Sequence, residues 1–440
     1  MKNKVLVNAS LALVFVLLAL LTRGSLALLA LLALVFVLGS FFHPLAALGL
    51  VVFSYGFLPD LASLALVLGY GFLLVVFSLF RKDIQLTYDS SHALVYLWMV
   101  LLVLATITSS LVQGSLRDLA IHTGGFFLFL TMVSLVERKR DIYILLFALV
   151  AGLGILSLYG VSQIFTGAEL SKDWVDVENN PNVRVRVYSL FGNPNVFAEY
   201  LVMVLPLALG LTWSAKKDKG KIFYGGIFLL ACISLFFTLS RGGLLGFIAG
   251  LALFFFLVKK RLFLLGIPGL AALVYLAPQG FINRIQSIQN LQDTSTVYRL
   301  TIWKTSLDII KDHPWGLGLG HLPFKAMYEN YNQIYPTFHA HNTYLELTAE
   351  MSLFGLGVFL VFMAVVFFQA HKYLIKSKDS QIRILGAAAL AGLFGIFVHG
   401  IFENIFYLTK ITLTVWLLIA IIYSLIKVER KEEAYDETPF

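Results

Sequence analysis

Apolar runs recur along the whole chain and alternate with short polar segments. A run of about 18 to 20 apolar residues is long enough to cross a bilayer as a helix. The pattern therefore predicts a bundle of about 12 transmembrane helices (12–14). Several early candidates are short, and we interpret them as re-entrant segments or as halves of broken helices. The candidate spans are 5–22, 25–42, 44–58, 62–80, 92–112, 118–136, 142–165, 193–213, 222–239, 243–258, 262–277, 342–370, 382–400 and 405–426.

Composition agrees with this pattern. The chain contains 59% hydrophobic and 13% charged residues, whereas soluble globular proteins contain about 25% charged residues. We therefore predict an all-α polytopic membrane protein that forms a single integral membrane domain over residues 1–440. The first run, 5–22, lacks the small-residue cleavage site of a signal peptide, and we interpret it as the first helix. A single cysteine, Cys232, excludes a disulfide framework.

Lysine and arginine residues are concentrated on one side of the predicted bundle. When the N-terminus is placed in the cytoplasm and the spans alternate, the short inside loops and the tail hold 21 of the 33 lysines and arginines. This distribution follows the positive-inside rule. It predicts a multi-pass membrane protein with both termini in the cytoplasm and no nucleic-acid partner. The charged tail, 427–440, is expected to be loose.

Two long segments remain on the outer side, residues 166–192 and residues 278–341. The second is the large outer loop and contains TVYRLTIWKTSLDIIKDHPWGLGLG. Apolar residues recur there with helical spacing while charged residues occupy other faces, which predicts an amphipathic helix on the outer membrane surface. The pair His313-Pro314 ends this helix, and the glycines that follow form a turn. The apolar positions are Leu300, Trp303, Leu307 and Ile310.

The large outer loop ends in the motif HAHN, which leads directly into a long apolar run. As a helix, the run from Asn342 to Ala370 would be about 43 Å long, whereas the hydrocarbon core is about 30 Å thick. Its first two turns are therefore expected to stand outside the membrane or to tilt. Glu346 and Glu350 share one face with Asn342. We expect these carboxylates to line a wet cavity or to pair with arginines.

The two histidines of this motif, His339 and His341, are candidate acid–base residues. Histidine exchanges a proton near neutral pH more readily than other side chains, and Asn342 can orient the ring. A lone histidine at a helix start is often a cap, but two histidines beside an amide favour a functional site. An HxH pair also occurs in metal sites, yet the outer segments contain no HExxH, DxD or cysteine partner. We therefore expect no metal and no other cofactor.

Arginines lie near the outer ends of several predicted spans. Arg241 follows LS in LSRGG, Arg299 begins the amphipathic helix, and Arg184 and Arg186 precede NPNVFAEYL; Arg284 is a further candidate. One arginine at a membrane interface is most often an anchor. Several beside histidines favour binding of a diphosphate, because guanidinium groups bind phosphate oxygens in pairs and stay charged.

Four motifs in this order resemble the O-antigen ligase and polymerase superfamily of bacterial envelope enzymes. They are FGNPNVFAEYL, SRGG, YRLTIWKTSLDIIKDHPWGLGLG and HAHNTYLEL, and the resemblance covers residues 184 to about 360. It implies that His341 corresponds to the loop histidine of the family, and Arg241 and Arg299 to its two diphosphate-binding arginines. A glycine usually stands eleven residues after that histidine, where this chain has Ser352. The candidate substrate-binding residues are Arg184, Arg186, Asn193, Asn195, His339, Asn342 and Glu346.

Members of this superfamily move a glycan from undecaprenyl diphosphate to an acceptor hydroxyl on the outer face of the membrane. The resemblance therefore implies a metal-independent, GT-C-like membrane glycosyltransferase that inverts the anomeric centre. His341 would act as the base for the acceptor hydroxyl, and Arg241 and Arg299 would stabilise the departing diphosphate. The implied partners are the lipid-linked glycan donor, membrane lipids, and an acceptor that is a glycan, lipid A-core or another hydroxyl compound.

Other functions stay open at this point. Within the same superfamily, an O-antigen or wall polysaccharide polymerase and a protein O-oligosaccharyltransferase share the donor and differ in the acceptor. From another class, a transporter or flippase would also be a helical membrane protein. Transporters usually place ionisable residues near the bilayer midplane, whereas the polar residues here gather at one face of the predicted bundle.

Overall fold

A computed structural model describes residues 25–167, 185–264 and 294–436. Within these ranges the secondary structure is helical and contains no strand, so the predicted all-α class is confirmed. The helices are α1 (Ser25–Phe42), α2 (Pro44–Ser54), α3 (Asp60–Phe80), α4 (Ala93–Ile107), α5 (Val112–Leu135), α6 (Lys139–Thr166), α7 (Pro194–Ser214), α8 (Asp218–Thr238), α9 (Arg241–Val258), α10 (Thr294–Asp312), α11 (His321–Tyr331), α12 (Thr343–Ala370), α13 (Ser380–His399) and α14 (Thr409–Asp436).

Ten helices of the described chain are long and apolar enough to cross a membrane. Each of them corresponds to one predicted span. The predicted span 5–22 and most of the predicted span 262–277 lie outside the described residues. Helices α1 and α2 are separated only by His43, and α2 has 11 residues. At 1.5 Å per residue α2 is about 16 Å long, roughly half the hydrocarbon thickness. This length fits both a re-entrant segment and half of a broken helix, the two interpretations that the sequence left open.

Helices α7, α13 and α14 form the buried centre of the bundle, as most of their side chains are enclosed by other helices. Helix α9 lies against α13 through small residues. A Cβ at Gly246 would lie 2.5 Å from the carbonyl oxygen of Gly395, so the two backbones are in direct contact. Close approach of this kind is how small residues stabilise helix pairs in membranes. It brings Arg241, at the start of α9, to the end of α13 at His399.

Helix α12 is interrupted eight residues after its start. Met351 and Ser352 have non-helical backbone angles, with φ of 68° and ψ of 175° at Ser352. The overlong run is thus divided into a short outer piece and a long apolar piece. The helix has 28 residues in all. Because the backbone breaks after its first two turns, those turns can point in a different direction from the long apolar piece.

The backbone groups freed by this break are satisfied by the glycine-rich turn of the large loop. The N–H of Leu317 donates to the carbonyl of Ala349 at 2.8 Å, and the N–H of Gly318 donates to the carbonyl of Glu350 at 3.0 Å. The N–H of Ser110 donates to the carbonyl of Leu317 at 2.9 Å, which ties the same turn to the segment between α4 and α5. The loop is therefore wedged between α12 and the α4–α5 connection.

The predicted amphipathic helix is present as α10, and a second helix of the loop, α11, was not predicted. The face of α10 that packs against the protein carries Ile302 and Ile309, which join Phe324 of α11 in a small core. Two positions of the predicted apolar stripe, Leu300 and Leu307, are exposed instead. These two positions remain available for the predicted contact with the membrane surface, whereas Ile302, Ile309 and Ile310 hold α10 against the protein.

The expectation of a loose tail is wrong for the described residues. Helix α14 continues past the predicted span to Asp436. Lys427 Nζ lies 2.6 Å from Glu137 Oε1, and Lys431 pairs with the same carboxylate. These ion pairs fix the charged end of α14 to the segment between α5 and α6, which a sequence reading by hydropathy alone does not reveal.

Candidate active site

The site is built where two connections meet at one end of the bundle. One is the HAHN segment before α12, and the other is the segment between α13 and α14. The side chain of Asn342 caps α12 by accepting from the N–H groups of Tyr344 and Leu345. Its amide nitrogen donates to the carbonyl of Ile401 at 3.0 Å. The cap residue thus joins the two connections.

Thr343 makes the second link between these connections. Its N–H donates to the carbonyl of Gly400 at 2.8 Å, and its hydroxyl donates to the carbonyl of Glu403 at 2.8 Å. Both contacts fix the main chain around Glu403 relative to the histidines. His341 itself has a φ of 48°, a left-handed conformation that residues other than glycine adopt rarely and that is enriched at functional sites.

A histidine–carboxylate pair results from this arrangement. Nδ1 of His341 lies 2.8 Å from Oε1 of Glu403. A carboxylate only accepts hydrogen bonds, so Nδ1 of the neutral ring carries the proton and Nε2 carries the lone pair. Burial raises the pKa of the Glu403 carboxyl, but His341, His339 and Arg299 outweigh burial and hold the pKa below its ordinary value. Glu403 is therefore an anion that orients the ring.

His339 stacks beside this pair and is buried. Its ring centroid lies 4.1 Å from that of His341 and 4.2 Å from that of Tyr407. Its Nδ1 accepts from the N–H of His341 at 3.2 Å. Burial, assisted by the nearby His341, lowers the pKa of His339 to about 3. His339 is thus neutral near pH 7 and holds the backbone of His341 in its unusual conformation.

Arg299 and Arg241 reach this region from different helices. Arg299 of α10 is close enough to act on the charges of Glu403 and His339. Arg241 begins α9, and a Cβ at its neighbour Gly242 would lie 3.3 Å from the ring of His399 and 3.5 Å from the Cβ of Phe402. Arg241 therefore lies at the same end of the bundle as Glu403, beside the turn that follows α13.

A second buried histidine–carboxylate pair lies beneath Arg241. Nε2 of His399 lies 3.4 Å from Oε1 of Glu199 in α7, and both side chains are almost fully buried. The pair supports the turn that carries Arg241, because His399 contacts the first turn of α9. Neither residue was among the sequence candidates.

Three of the predicted binding residues are engaged in local structure. Arg186 is buried; its Nε donates to the carbonyl of Thr238 at 2.8 Å and a terminal nitrogen donates to Oδ1 of Asn195 at 3.0 Å. The side chain of Asn193 caps α7. These contacts hold the turn before Arg241, and a direct role in substrate binding stays a prediction. Arg184 and Arg284 lie outside the described residues.

The predicted wet surface along Glu346 and Glu350 is wrong. Both carboxyls are buried, and Glu346 accepts a hydrogen bond from the N–H of Ala340. Asp118 of α5 is near enough to both to influence their charge. The prediction failed because helices α10 and α11 and the turn at Leu317 cover the first turns of α12. Glu346 stabilises the HAHN segment through its hydrogen bond with Ala340.

Glu403 is the main functional candidate that the sequence analysis missed. It is 62 residues from His341 and carries no motif. One signal was available, because Glu403 is the single acidic residue between Asp379 and Glu429 in an otherwise apolar stretch. An isolated carboxylate beside a membrane span is costly unless it has a partner.

The donor atoms of His339, His341 and Glu403 lie within 4.8 Å of one another, a spacing that fits a metal ion. Nδ1 of His341 faces Glu403, and Nδ1 of His339 accepts the backbone N–H of His341. The ring atoms that face the carboxylate are thus already used in hydrogen bonds. The cluster can hold a metal only if the hydrogen bond to Glu403 is given up, and the predicted absence of a metal stays a prediction.

Fold and site together define a multi-pass, all-helical membrane protein with an acid–base pair in the connections at one end. Residues 226–360 match the family model described as O-Antigen ligase. The chain is also similar to the Teichuronic acid biosynthesis protein TuaE of Bacillus subtilis (strain 168), with 21% identity over 373 residues that cover 77% of this chain and 72% of that protein. These two matches support the O-antigen ligase and polymerase superfamily, as the motifs predicted, and with it a ligase- or polymerase-type function in polysaccharide biosynthesis.

The family match contains Arg241, Arg299, His339 and His341 and ends before Glu403. The carboxylate partner of His341 is thus supplied by a part of the chain that only the fold brings to the matched region.

Proposed function

We propose that this protein transfers a glycan from undecaprenyl diphosphate to an acceptor hydroxyl on the outer face of the cytoplasmic membrane. The transfer inverts the anomeric centre and uses no metal. The observation that carries the proposal is the 2.8 Å contact between His341 and Glu403, which leaves Nε2 of His341 as a base whose basicity the carboxylate raises.

The proposed step is a single displacement. Nε2 of His341 takes the proton of the acceptor hydroxyl while its oxygen forms a bond to the anomeric carbon of the donor glycan. The bond between that carbon and the diphosphate oxygen breaks, and its electron pair stays on undecaprenyl diphosphate. Arg241 and Arg299 stabilise the charge that develops on the leaving group. His341 then releases its proton to water.

The location of the two arginines supports this division of roles. Arg299 lies on the α10 side and Arg241 on the α9 side of the segment that carries Glu403. A diphosphate between them would be bound by fixed cations, which supplies the charge stabilisation that a divalent cation supplies elsewhere.

The decisive experiment is transfer by the purified protein from an undecaprenyl-diphosphate glycan to a saccharide acceptor. His341→Ala should reduce the rate by at least about 100-fold, since general base catalysis contributes roughly 10²–10⁴. His371→Ala is the matched control, because His371 is exposed at the far end of α12. Undiminished transfer by the His341 variant would remove the mechanism.

Substitution with lysine tests the roles of Arg241 and Arg299 separately from the role of His341. Arg241→Lys and Arg299→Lys keep the charge but lose the paired donors that match phosphate oxygens. Both variants should lower the rate less than the alanine variants do. Arg261, an exposed arginine after α9, provides a control whose replacement should leave transfer unchanged.

A polymerase is the favoured alternative within this chemistry. The relative TuaE is named for teichuronic acid biosynthesis, which favours an acceptor that is itself a glycan. Products of increasing length from one acceptor would identify polymerisation, and a single transferred unit would identify ligation.

A further inference from the structure

A cavity of about 370 Å³ lies beside the histidine–carboxylate pair, a size within the range of about 300–1,000 Å³ that small-molecule sites occupy. It lies between the start of α5, the start of α11 and the connection between α13 and α14. His339 forms part of its wall, and the ring of His339 stacks directly on that of His341. The cavity is therefore one ring away from the proposed base. Its lining residues are Arg117, His321, Phe338, His339, Tyr407 and Leu408.

Aromatic rings form one side of this cavity. Phe338 is 61% exposed, which is unusual for a phenylalanine in a loop that otherwise packs against the bundle. Tyr407 stacks on His339, and burial raises the pKa of its hydroxyl, so it stays protonated. A sugar ring has apolar C–H faces and carries its hydroxyl groups around the rim. Aromatic side chains with a few polar groups nearby can pack against such a face while the polar groups bind the hydroxyls.

Basic groups form the other side. A terminal nitrogen of Arg117 lies 3.5 Å from Nδ1 of His321. Lys325 is not part of the lining; it stands over one face of the Phe338 ring at 4.7 Å. The Arg117 side chain is 44% exposed and so keeps donors for a ligand. Asp118 is buried behind this group, 3.8 Å from Arg117 and 3.4 Å from His321. A single carboxylate fixes these basic groups without covering them.

We propose that this cavity binds the acceptor and selects a saccharide that carries an anionic group, a carboxylate or a phosphate. The ring of the sugar lies on Phe338 and Tyr407, and its anionic group binds Arg117 and His321. This inference rests on the proposed function for the identity of the ligand as acceptor. The location favours acceptor over donor, because neither Arg241 nor Arg299 lines the cavity, whereas His339, which stacks on the proposed base, forms part of its wall.

The test is a binding measurement on the full-length His341→Ala protein in lipid nanodiscs, without donor. Three monosaccharides that differ only at carbon 6 serve as probes: glucose, glucuronic acid and glucose 6-phosphate. At least one of the anionic sugars should bind 10-fold or more tighter than glucose, and the tighter of the two identifies the anionic group. Equal binding of all three sugars would overturn the proposal.

Variants locate the binding. Arg117→Ala, introduced into the His341→Ala protein, should remove the preference for the anionic sugar. Arg117→Lys in the same protein should keep part of that preference. Phe338→Ala, at an exposed position, should weaken the binding of all three sugars to the same extent. Lys311→Ala is the matched control, because Lys311 is an exposed cation of the same loop outside the cavity. A preference that survives Arg117→Ala while the protein stays folded would contradict the proposal.

Failure of this proposal and failure of the proposed function are distinguishable. The binding test needs no transfer. If the wild-type protein transfers no glycan but the binding test still shows a preference for an anionic sugar through Arg117, the cavity proposal is supported and the proposed transfer reaction is excluded. Alternatively, wild type and the Arg117 variant could both transfer glycan with the same kcat/KM for neutral and anionic acceptors. That result would support the transfer mechanism and exclude the role of the cavity in selecting an anionic acceptor.

Discussion

Oε1 of Glu403 accepts a hydrogen bond from Nδ1 of His341 at 2.8 Å, across 62 residues of sequence. The contact joins the end of the large loop to the connection between α13 and α14, and Thr343 and Asn342 fix the two backbones around it. An imidazole held in this way has one defined tautomer and a raised basicity at Nε2. The pair is the part of the site from which the catalytic expectations follow.

Glu403→Gln should keep the shape of the site and remove its charge. The amide can present its nitrogen to Nδ1 and so favour the wrong tautomer, and we expect the rate of transfer to fall by roughly 10²–10⁴ with little change in KM. Steady-state kinetics of the purified variant checks this. Glu329→Gln, at an exposed carboxylate of the same loop, should behave as wild type. A rate within about threefold of wild type for the Glu403 variant would exclude its role.

His339 should make stability depend on pH. Its pKa is about 3 in the folded protein and 6.5 without the fold, so the unfolded chain binds a proton that the folded chain does not bind between these values. The contribution of His339 to the free energy of unfolding should therefore decrease as the pH falls from 6.5, by up to about 1.4 kcal/mol per pH unit. The lowered pKa of Glu403 acts in the same direction, but only below its ordinary value of 4.5.

Between pH 6.5 and 4.5 Glu403 contributes little, and other buried groups also exchange protons on unfolding. In this window the difference between a His339 variant and wild type, rather than the wild-type slope itself, reports on the histidine. Thermal unfolding in detergent, followed across this window, should show a smaller pH dependence for His339→Gln than for wild type. His371→Gln, at an exposed position, should leave the dependence unchanged. Equal slopes for the His339 variant and wild type would show that the ring is not held neutral by the fold.

Ser352→Gly should stabilise the protein. With φ of 68° and ψ of 175°, Ser352 occupies a backbone region that is almost restricted to glycine, at a cost of about 1–3 kcal/mol. Glycine relieves this strain and loses part of the gain through its larger entropy in the unfolded chain, so a net gain of about 1 kcal/mol is expected. Ser162→Gly, inside the regular helix α6, should instead destabilise slightly. A lower thermal midpoint for Ser352→Gly would contradict the strained conformation.

The same angle explains a feature of the family motif. A glycine is usual eleven residues after the loop histidine, and this chain has Ser352 there. The requirement is conformational, because the backbone turns at this position to expose the carbonyls that receive Leu317 and Gly318. The break in α12 is thus retained with a residue that adopts it less easily.

EDTA should leave transfer at full rate, because the proposed mechanism takes its charge stabilisation from Arg241 and Arg299. Added Zn²⁺ should inhibit reversibly, since the donor atoms of His339, His341 and Glu403 are close enough to bind it and binding would displace the hydrogen bond to Glu403. Initial rates with chelator and with Zn²⁺ check both statements. Loss of activity in EDTA that a divalent cation restores would identify a metal enzyme.

The sequence predicted the spans with useful accuracy where they are long and bounded by caps. The predicted run 193–213 is Pro194–Ser214, with Asn193 as cap and proline at the first position. The run 382–400 is Ser380–His399. The end of the last helix was predicted too early, because its continuation to Asp436 depends on pairing with Glu137 and is not encoded in local hydropathy.

The candidate site was predicted in part. His341 is hydrogen-bonded to a carboxylate, and Arg299 is close enough to act on the charge of that carboxylate. Their catalytic roles stay predictions. The expectation for Glu346 was wrong because helical periodicity gives the face a residue occupies and not what covers that face. Glu403 was missed because its role depends on a contact between segments that are distant along the chain.

By itself, the sequence determined a polytopic helical protein and a polar outer loop that ends in paired histidines, because hydropathy and short motifs are local properties. Only the tertiary structure decided that Glu403 meets His341, that His399 and Glu199 support Arg241, and that Arg117 faces a cavity beside His339. Each of these relationships joins helices remote in sequence, and their distances are set by how the helices pack.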